Sequence, residues 1–304
     1  MGKDGGVKVV IAGASGLIGC ALVNSLTGDG HEVIRLVRRH ARGSDEASWD
    51  PSSRRLDGEL LAGADAVVNL AGVGIGDRRW SDEHKRLVLS SRLDATTTIA
   101  TALAALRGDE RPPVLLNASA VGFYGDTKEE AVDESAPQGD GFLADVVRQW
   151  EEATRPAVDA GVRVVTARSG IVLSADGGAL GKVLPLFKLG LGGKLGSGRQ
   201  WMSWIAMPDE IAALRFLLSN DDISGPVNLT APEPVRNRDY TKAIARAVRR
   251  PALAVVPPVA LRAALGGFAD EGVLVSQRVL PSRLEDAGFT FTYADVDSAL
   301  TALL

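Results

Sequence analysis

The sequence is poor in the residue types that form disulfide bonds and metal centres. Its 304 residues include one cysteine, Cys20, so no internal disulfide can form. The three histidines, His31, His40 and His84, show none of the spacings that zinc sites use, and a metal centre is not expected. A single thiol is typical of a reducing compartment, and the expected location is the cytoplasm.

Long hydrophobic runs and lysine- or arginine-rich runs are also missing. No apolar stretch reaches the ~18 residues that span a bilayer, and the opening MGKDGGVKVV has no signal-peptide core. With a formal charge of −4 and no basic stripe, neither nucleic acid nor a membrane is an expected partner. Apolar residues make up 45% of the chain and charged residues 24%, which is typical of a globular protein with a substantial core.

What the first half does contain is short apolar runs that alternate with helical patterns. Helices are expected over residues 17–26, 87–106 and 142–160, and strands over residues 7–12, 32–37, 64–71, 113–119 and 163–168. Such alternation predicts βαβ units. The expected fold class is therefore α/β, with a Rossmann-type doubly wound parallel sheet.

The second half of the chain has a different composition, with a glycine-rich loop and a proline-rich stretch. Helices are expected over 208–218 and 237–249, and strands over 226–229 and 288–293. We therefore predict a dinucleotide-binding domain over residues 1–170 and a smaller substrate-side domain over residues 171–304. The boundary between them is soft, and elements can interleave across it.

Three glycines, each separated by two residues, follow the first predicted strand in the segment GASGLIG. The first glycine allows a tight turn, the second lets a pyrophosphate approach the backbone, and the third lets the helix pack against the sheet. The helix N-terminus offers free N–H groups and a partial positive charge to phosphates. Because the motif joins a strand to an amphipathic helix, it predicts dinucleotide binding. The predicted contacts are Gly13, Ser15, Gly16, Leu17, Ile18 and Gly19.

The end of the second predicted strand distinguishes NAD from NADP. An acidic residue there would accept a hydrogen bond from the ribose 2′-OH of NAD, whereas arginine accommodates the 2′-phosphate of NADP. The segment VIRLVRRH has no acid and carries Arg38 and Arg39. We therefore predict NADP(H), with a solvated basic edge as the alternative.

The third strand ends in four residues that also mark a cofactor site. Small residues at the carboxyl end of a strand let a cofactor lie across the sheet, where ligands of open α/β sheets bind. Close packing alone would explain the same stretch equally well. The predicted contacts are Asn69, Leu70, Ala71 and Gly72.

These motifs resemble the extended short-chain dehydrogenase/reductase superfamily. The segments GASGLIG, NLAG, NASAVGFYGD, FLADVVRQWE and GLGGKLGSGRQWMSWI resemble an atypical subgroup of NAD(P)-dependent epimerases that has a small C-terminal domain of unknown function. The resemblance implies an NADP(H)-binding oxidoreductase or nucleotide-sugar-type epimerase that acts on a small-molecule substrate. The resemblance does not identify the substrate, and it leaves open whether the protein forms a homodimer.

The proton-transfer residues typical of that superfamily are missing. Its members carry Tyr-x-x-x-Lys on a helix, where positions i and i+4 share a face and the lysine lowers the tyrosine pKa. Here the helix carries Phe142 and Val146 at that spacing, and neither can move a proton. The string from Tyr124 to Lys128 has the right spacing, but its Gly-Asp-Thr interior predicts a turn, so we interpret it as coincidental.

Two candidate catalytic residues remain. The resemblance places Tyr124 near the nicotinamide, where it is the best candidate acid. Ser119 is the candidate hydroxyl, although the usual Ser or Thr position falls on Ala120, and a strand-end hydrogen bond explains Ser119 equally well. A non-catalytic NADPH-binding redox sensor or regulator is the alternative function, favoured by the missing pair.

Several other polar and aromatic residues allow two interpretations. Glu151 either faces the cleft or belongs to a solvated helix face. The glycine-rich loop with Lys194 and Arg199 either binds a phosphorylated substrate or forms a surface lid. Trp201 and Trp204 either stack on a flat ring or pack in the core.

Overall fold

The computed structural model describes residues 6–304, in which strands and helices alternate from the start. The strands are β1 (Lys8–Ala12), β2 (Glu32–Val37), β3 (Glu46–Ser48), β4 (Ala66–Asn69), β5 (Val114–Ala120), β6 (Ala131–Val132), β7 (Arg163–Ser169), β8 (Ile171–Leu173), β9 (Gly193–Leu195), β10 (Trp201–Met202), β11 (Trp204–Ala206), β12 (Gly225–Leu229), β13 (Val235–Arg236), β14 (Ala254–Val256) and β15 (Arg278–Val279). The helices are α1 (Leu17–Gly28), α2 (Asp82–Ala105), α3 (Phe142–Glu152), α4 (Arg155–Asp159), α5 (Gly178–Lys188), α6 (Met207–Ser219), α7 (Asn237–Ala247), α8 (Pro258–Leu265), α9 (Ser282–Asp286) and α10 (Val296–Leu303). Short 3₁₀ turns cover Gly58–Leu60 and Val121–Tyr124, and a π-helix covers Ala269–Val273.

Seven parallel strands form the central sheet in the order β12-β7-β5-β4-β1-β2-β3. The chain winds outward from β1 to β3 and then returns to continue from β4 on the other side of β1. The predicted doubly wound α/β fold is therefore confirmed. Ala12 pairs with Leu36 on one side and Asn69 on the other, so the carboxyl ends of β1, β2 and β4 meet at the switch point where such sheets bind ligands.

The sheet is buried on both faces, which explains why its strands read as continuous apolar runs. Leu22 and Leu26 of α1 and Leu214 and Leu217 of α6 belong to the core on one face. Ile99, together with other residues of α2, belongs to the core on the opposite face. Between these two layers, loops follow the carboxyl ends of the parallel strands. We call this side of the sheet its carboxyl edge.

Two predicted helix boundaries differ from the structure. The helix predicted over 142–160 divides into α3 and α4, and Pro156 lies in the first turn of α4, where its missing N–H costs no hydrogen bond. Helix α2 begins at Asp82, five residues before the predicted start. Ser81 caps it by accepting a hydrogen bond from the His84 backbone N–H.

The strand predicted over GFTFTY is wrong. The backbone N–H groups of Thr292 and Tyr293 donate to the two carboxylate oxygens of Asp209, at 2.8 and 2.9 Å, and residues 288–293 pair with no strand. Phe289 and Phe291 pack edge to face with ring centroids 4.8 Å apart. The apolar alternation therefore reflects side-chain burial in a loop whose amides are satisfied by a carboxylate.

The second half of the chain is interleaved with the first. Strand β12 forms an edge of the central sheet beside β7, and β6 from the first half pairs with β15 near the C-terminus. Three further two-stranded pairs, β8 with β11, β9 with β14 and β10 with β13, lie outside the central sheet, and the substrate-side role of this region stays a prediction. In residues 6–304, no helix is both long enough and apolar enough to cross a membrane.

Candidate functional site

The glycine turn after β1 is built so that only glycine fits at its first and third positions. Gly13 has a φ of +80°, and a Cβ there would lie 2.5 Å from the carbonyl oxygen of Leu70. A Cβ on Gly19 would lie 2.2 Å from the Gly13 oxygen. The turn is therefore held tightly between β1, α1 and the loop that follows β4.

The second glycine of the turn leaves the N-terminus of α1 open. Gly16 is the N-cap of α1, no side chain caps the helix, and its first turn carries no acid. A Cβ on Gly16 would meet only the Gly13 oxygen, at 3.3 Å. Ser15 is exposed beside it, while Leu17 and Ile18 are half-buried. Bare amides and an unopposed helix dipole fit a pyrophosphate, although the individual contacts stay predictions.

A cavity of about 690 Å³ lies at the carboxyl ends of β2 and β3, and its wall is predominantly basic. The hydroxyls of Ser52 and Ser53 donate to the Asp50 carboxylate at 2.6 and 2.7 Å and lower its pKa to about 2. Four arginines against two aspartates leave the wall with net positive charge. The lining residues are Arg38, Arg39, His40, Ser48, Trp49, Asp50, Arg54, Arg55, Leu56 and Asp57.

The two arginines predicted to bind the 2′-phosphate differ in their partners. Arg39 makes two hydrogen bonds of 2.7 Å to the carboxylate of Glu46, and this pairing is the main reason that the pKa of Glu46 falls to about 2. Arg38 takes part in no ion pair within residues 6–304. The charge of Arg39 is therefore balanced and its position fixed, while the charge of Arg38 is available to an anion.

A buried amide network shapes the loop after β4. The Asn69 Nδ2 donates to Asn117 Oδ1 at 2.7 Å and to Thr96 Oγ1 at 2.9 Å, and Asn69 Oδ1 accepts from the Ala71 backbone N–H at 3.2 Å. Trp150 donates its indole N–H to the same Thr96 hydroxyl. Asn69 is fully buried, so its side chain positions the predicted cofactor loop from inside the protein.

Leu70, Ala71 and Gly72 follow this network and face the glycine turn. The Leu70 backbone N–H donates to the Ala12 carbonyl oxygen at 2.9 Å, which continues the pairing of β4 with β1. A Cβ on Gly72 would lie 3.4 Å from the Arg92 side chain. The structure therefore brings the two predicted cofactor segments, residues 13–19 and 69–72, together at one edge of the sheet.

A buried ion pair joins both predicted catalytic residues. Arg168 on β7 makes two hydrogen bonds of 2.8 Å to the carboxylate of Glu151 on α3, and Ser119 donates its hydroxyl to the same carboxylate at 2.6 Å. A further Arg168 nitrogen donates to the Tyr124 hydroxyl at 2.9 Å, and that hydroxyl donates to Asn228 Oδ1 at 2.8 Å. Glu151 is therefore neither solvated nor isolated, a placement that sequence reasoning left open.

Burial strengthens the preference of Tyr124 for its neutral form. Desolvation raises the pKa of its phenol, and the opposing influence of Arg168 is smaller. The residue is 4% exposed, and Ser119 is 5% exposed. Both hydroxyls are bonded to protein groups, and the phenol stays neutral at physiological pH. The catalytic assignment of Tyr124 and Ser119 stays a prediction.

The positions of the missing Tyr–Lys pair are packed with apolar groups. Phe142, the first residue of α3, meets the Trp80 ring edge to face at a centroid distance of 5.3 Å, and Val146 is 2% exposed. Glu271 from the π-helix accepts a hydrogen bond of 2.8 Å from the Leu143 backbone N–H. The C-terminal region therefore caps the helix that would carry the pair in typical relatives.

The second Tyr-x-x-x-Lys string has no helix to carry it. Tyr124 closes a 3₁₀ turn, and Lys128 is exposed with a φ of +54°. The two side chains therefore do not share a helix face. The string lies outside any α-helix, as predicted, and the interpretation of this match as coincidental stays a prediction.

The two tryptophans of the substrate-side segment have separate roles. Trp204 is completely buried and donates its indole N–H to the Glu233 carbonyl oxygen, so it belongs to the core. The guanidinium groups of Arg236 and Arg278 both lie over the Trp201 ring, at 4.4 and 4.7 Å from its centroid. A second cavity of about 420 Å³ lies close by, lined by Asp126, Lys128, Glu129, Gly196, Ser197, Arg199, Gln200, Pro258, Arg262, Asp270, Leu274 and Ser276.

The side chain of Glu210 is a buried carboxyl group near the end of β7. Among the described residues it has one hydrogen-bond partner. Glu210, at the start of α6, is 1% exposed, and Ser169 at the end of β7 donates to its Oε1 at 2.7 Å. Its Oε2 has no hydrogen-bond partner in the described part of the chain. Desolvation raises the pKa of this carboxyl to about 7. No periodicity in the sequence distinguishes it from the neighbouring Asp209.

Replacing Glu210 by glutamine is expected to stabilise the protein at neutral and alkaline pH and to change little at pH 4. The unfolded carboxyl ionises above its ordinary pKa of 4.5, whereas the folded one ionises only near 7, so wild-type stability falls between these values. The loss reaches about 3 kcal/mol above pH 7, and glutamine removes it. Urea unfolding of both proteins from pH 4 to pH 8 measures the difference, and a difference that does not vary with pH would contradict the burial of this carboxyl.

No group of three or more His, Cys, Asp or Glu side chains in residues 6–304 is arranged to hold a metal ion. The polar chemistry of the carboxyl edge therefore consists of the glycine turn, the arginine-lined cavity and the buried Glu151–Arg168 network. The first two fit an anionic dinucleotide, and the third supports the cleft beside it.

Comparison with known sequences agrees with this geometry. The profile of the NAD dependent epimerase/dehydratase family matches residues 9–230, and a domain of unknown function, DUF1731, matches residues 256–303. An epimerase family protein of Mycobacterium tuberculosis is 51% identical over 96% of each chain. A chloroplastic epimerase family protein of Arabidopsis thaliana, a homolog of SDR39U1, is 36% identical over 99% of this chain and 88% of its own.

Solved structures give the same result. The human epimerase family protein SDR39U1, crystallised with NADPH, superposes with a TM-score of 0.88 at 32% identity over 97% of this chain and 98% of its own. A nucleoside-diphosphate sugar epimerase from Corynebacterium glutamicum superposes with a TM-score of 0.81 at 38% identity, over 98% of this chain and 58% of its own. The chain belongs to the NAD dependent epimerase/dehydratase family, as the motifs in its sequence predicted.

Proposed function

We propose that the protein binds NADP(H) and acts as an oxidoreductase or epimerase on a small polar substrate. The observation that carries this proposal is the arginine-lined cavity at the carboxyl ends of β2 and β3, on the same edge of the sheet as the glycine turn. An excess of positive charge suits the 2′-phosphate that distinguishes NADP from NAD. The NADPH in the human relative supports the same choice.

The residues of this chain divide the binding of the cofactor between them. The N-terminus of α1 would hold the pyrophosphate, and Arg38, with Arg54 and Arg55, would hold the 2′-phosphate. The bound nicotinamide supplies the capacity to give or accept a hydride. The protein supplies orientation and the exclusion of water at the carboxyl edge of the sheet.

If the protein is an enzyme, Tyr124 is the proposed proton donor. Ser119 supports it through the hydrogen bonds that both residues share with the Glu151–Arg168 ion pair. A neutral phenol whose pKa is raised by burial suits the donor role and not that of a base. The Arg168 guanidinium, 2.9 Å from the Tyr124 hydroxyl, would stabilise the phenolate left after proton transfer.

A non-catalytic NADPH-binding protein is the second candidate, and one observation favours it. The hydroxyls of Tyr124 and Ser119 are bonded to Asn228, Arg168 and Glu151, while Phe142 and Val146 occupy the positions of the usual pair. A protein that reports the redox state of the cofactor must bind NADPH and NADP⁺ with unequal affinity. Calorimetric titration of both forms tests this candidate, and equal affinities would exclude a redox sensor.

Replacing Tyr124 by phenylalanine is expected to leave NADPH affinity within about twofold and to slow turnover by roughly 100-fold or more. The ring and its packing are kept, and only the proton-carrying group is lost. NADPH oxidation with a panel of aldehydes and ketones measures the rate of reduction, and chromatography of nucleotide sugars incubated with the protein and its cofactor measures the rate of epimerisation. Tyr293→Phe is the control, because its backbone N–H, and not its hydroxyl, is what bonds to Asp209. A substrate that both variants turn over at the wild-type rate would remove Tyr124 from the mechanism.

A further inference from the structure

Two segments of this acidic chain contain no acidic residue at all. Residues 177–208 and 240–269 together hold nine lysines and arginines and not one aspartate or glutamate, in a protein whose formal charge is −4. The first segment contains α5 and β9, and the second contains β14, α8 and most of α7. Charge is therefore segregated onto one part of the substrate-side region.

The same two segments carry most of the exposed apolar side chains. Among the described residues, eight large apolar side chains are exposed, and six of them lie here. Leu253 is 88% exposed, Val259 73% and Leu189 72%. The other three are Leu186, Leu191 and Val255. Such a concentration is unusual for a surface that faces only water.

The two segments meet in space. Strands β9 and β14 are parallel partners, with Gly193 beside Ala254, and the Ala254 backbone N–H donates to the Gly192 carbonyl oxygen at 3.3 Å. A Cβ on Gly190 would lie 3.8 Å from Pro251. Residues 186–191 and 249–259 therefore form one continuous area, which we call the basic apolar surface.

Cations without protein partners flank these apolar side chains. Lys188 ends α5, and Arg249 and Arg250 follow the end of α7. All three are exposed, and none of them takes part in an ion pair within residues 6–304. Four other basic residues of the two segments are paired: Lys182 with Asp77, Lys242 with Asp239, Arg246 with Asp297 and Arg262 with Asp270. The last two, Lys194 and Arg199, also take part in no ion pair within residues 6–304, but they lie outside the ranges 186–191 and 249–259. Lys188, Arg249 and Arg250 are therefore the unpaired cations that lie within the basic apolar surface.

Charge and shape together select one kind of occupant. A second copy of this chain would bring the same cations against each other, which opposes self-association through this surface. Side chains as exposed as Leu253 and Val259 project from the surface and do not line a groove, so they offer no pocket for a protein side chain. Pro251 and Pro257 restrict the backbone beside Leu253, which limits the loss of entropy on binding.

We propose that the basic apolar surface binds the interface of an anionic lipid bilayer. The projecting aliphatic groups enter the boundary between headgroups and acyl chains, and the cations contact lipid phosphates and other anionic headgroups. The interaction is peripheral and reversible, and it is independent of the proposed redox function. The sequence predicted no membrane partner. The proposal differs because the fold, and not the composition, determines which apolar side chains are exposed.

Vesicle co-sedimentation of the full chain tests the proposal. We expect at least roughly tenfold more binding to phosphatidylcholine vesicles that contain about 30% phosphatidylglycerol than to phosphatidylcholine alone. Binding should weaken as salt is raised. The double variant Arg249→Ser/Arg250→Ser should lose roughly 25-fold in partitioning, since each basic residue near an anionic surface contributes about fivefold. Leu253→Ser should lose roughly tenfold.

Matched controls use exposed residues away from this surface. Val158→Ser removes an aliphatic side chain that is 47% exposed, and Arg107→Ser removes an exposed cation, so both should bind vesicles as the wild type does. Equal binding to neutral and anionic vesicles, or equal losses in control and test variants, would overturn the proposal. So would a dimer in sedimentation analysis that Leu253→Ser dissociates, or binding to polyglutamate without binding to vesicles. Thermal melting of each variant confirms that it is folded.

Discussion

Replacing Arg38 by serine is expected to weaken NADPH binding by about 100-fold and to leave NADH binding within about twofold. Arg38 lines the basic cavity and has no carboxylate partner within residues 6–304, so its guanidinium is free to pair with a phosphate. Charge-assisted hydrogen bonds of this kind contribute about 1.5–3 kcal/mol each, and an arginine can make two to one phosphate. Fluorescence titration with each dinucleotide measures the two affinities.

The matched control for this prediction is Arg42→Ser. It removes the same charge from an exposed residue four positions along the chain that does not line the cavity. Long-range electrostatics would weaken NADPH binding in both variants, whereas a direct contact weakens it only in Arg38→Ser. A loss for NADH as large as that for NADPH would show that Arg38 supports the fold of the site and does not recognise the 2′-phosphate.

Replacing Arg168 by methionine is expected to lower the free energy of unfolding by about 3–5 kcal/mol. The side chain of Arg168 is 4% exposed and that of Glu151 is 16% exposed, so methionine would leave a carboxylate desolvated and unpaired. The Tyr124 hydroxyl would lose its donor as well. Urea unfolding followed by circular dichroism measures the change.

Two further variants separate the ion pair from general packing. The double variant Arg168→Met/Glu151→Met should recover most of the loss, because both charges leave the interior together. Arg148→Met breaks an ion pair on the surface, in which the side chain of Arg148 is 41% exposed and that of Glu152 is 64% exposed. This variant should lower the free energy of unfolding by less than about 1 kcal/mol. A loss for Arg168→Met no larger than that for Arg148→Met would show that the buried network does not stabilise the fold.

The glycine turn was accessible to sequence reasoning because its determinants are local. The turn from Gly13 to Gly19 joins one strand to one helix, and the spacing of its glycines reports directly on backbone clearance. The apolar runs of β1 and β2 likewise follow from a sheet that is covered on both faces. Features of this kind involve residues within about one βαβ unit of each other.

The network around Arg168 could not be predicted, because it depends on contacts between distant parts of the chain. Tyr124 bonds to Asn228, 104 residues away, and Ser119 bonds to Glu151, 32 residues away. Periodicity describes which face of an element is apolar, and it does not identify which polar groups meet. The same reason explains the error at GFTFTY, where Asp209 satisfies the amides of Thr292 and Tyr293 from across the fold. The difference between Arg38 and Arg39 has a more local cause, because the pairing of β3 with β2 places the Glu46 carboxylate beside Arg39.

The position of β12 at the edge of the central sheet has a consequence for protein synthesis. Because β12 ends at Leu229, the growing sheet has β7 as an open edge until residues 225–229 have left the ribosome. An unpaired edge strand is a site of intermolecular pairing, so this is the interval in which the nascent chain is most exposed to aggregation. Asn228, which holds the Tyr124 hydroxyl, emerges at the same moment. The pairing of β12 with β7 therefore both covers this edge and brings Asn228 to the Tyr124 hydroxyl, late in synthesis.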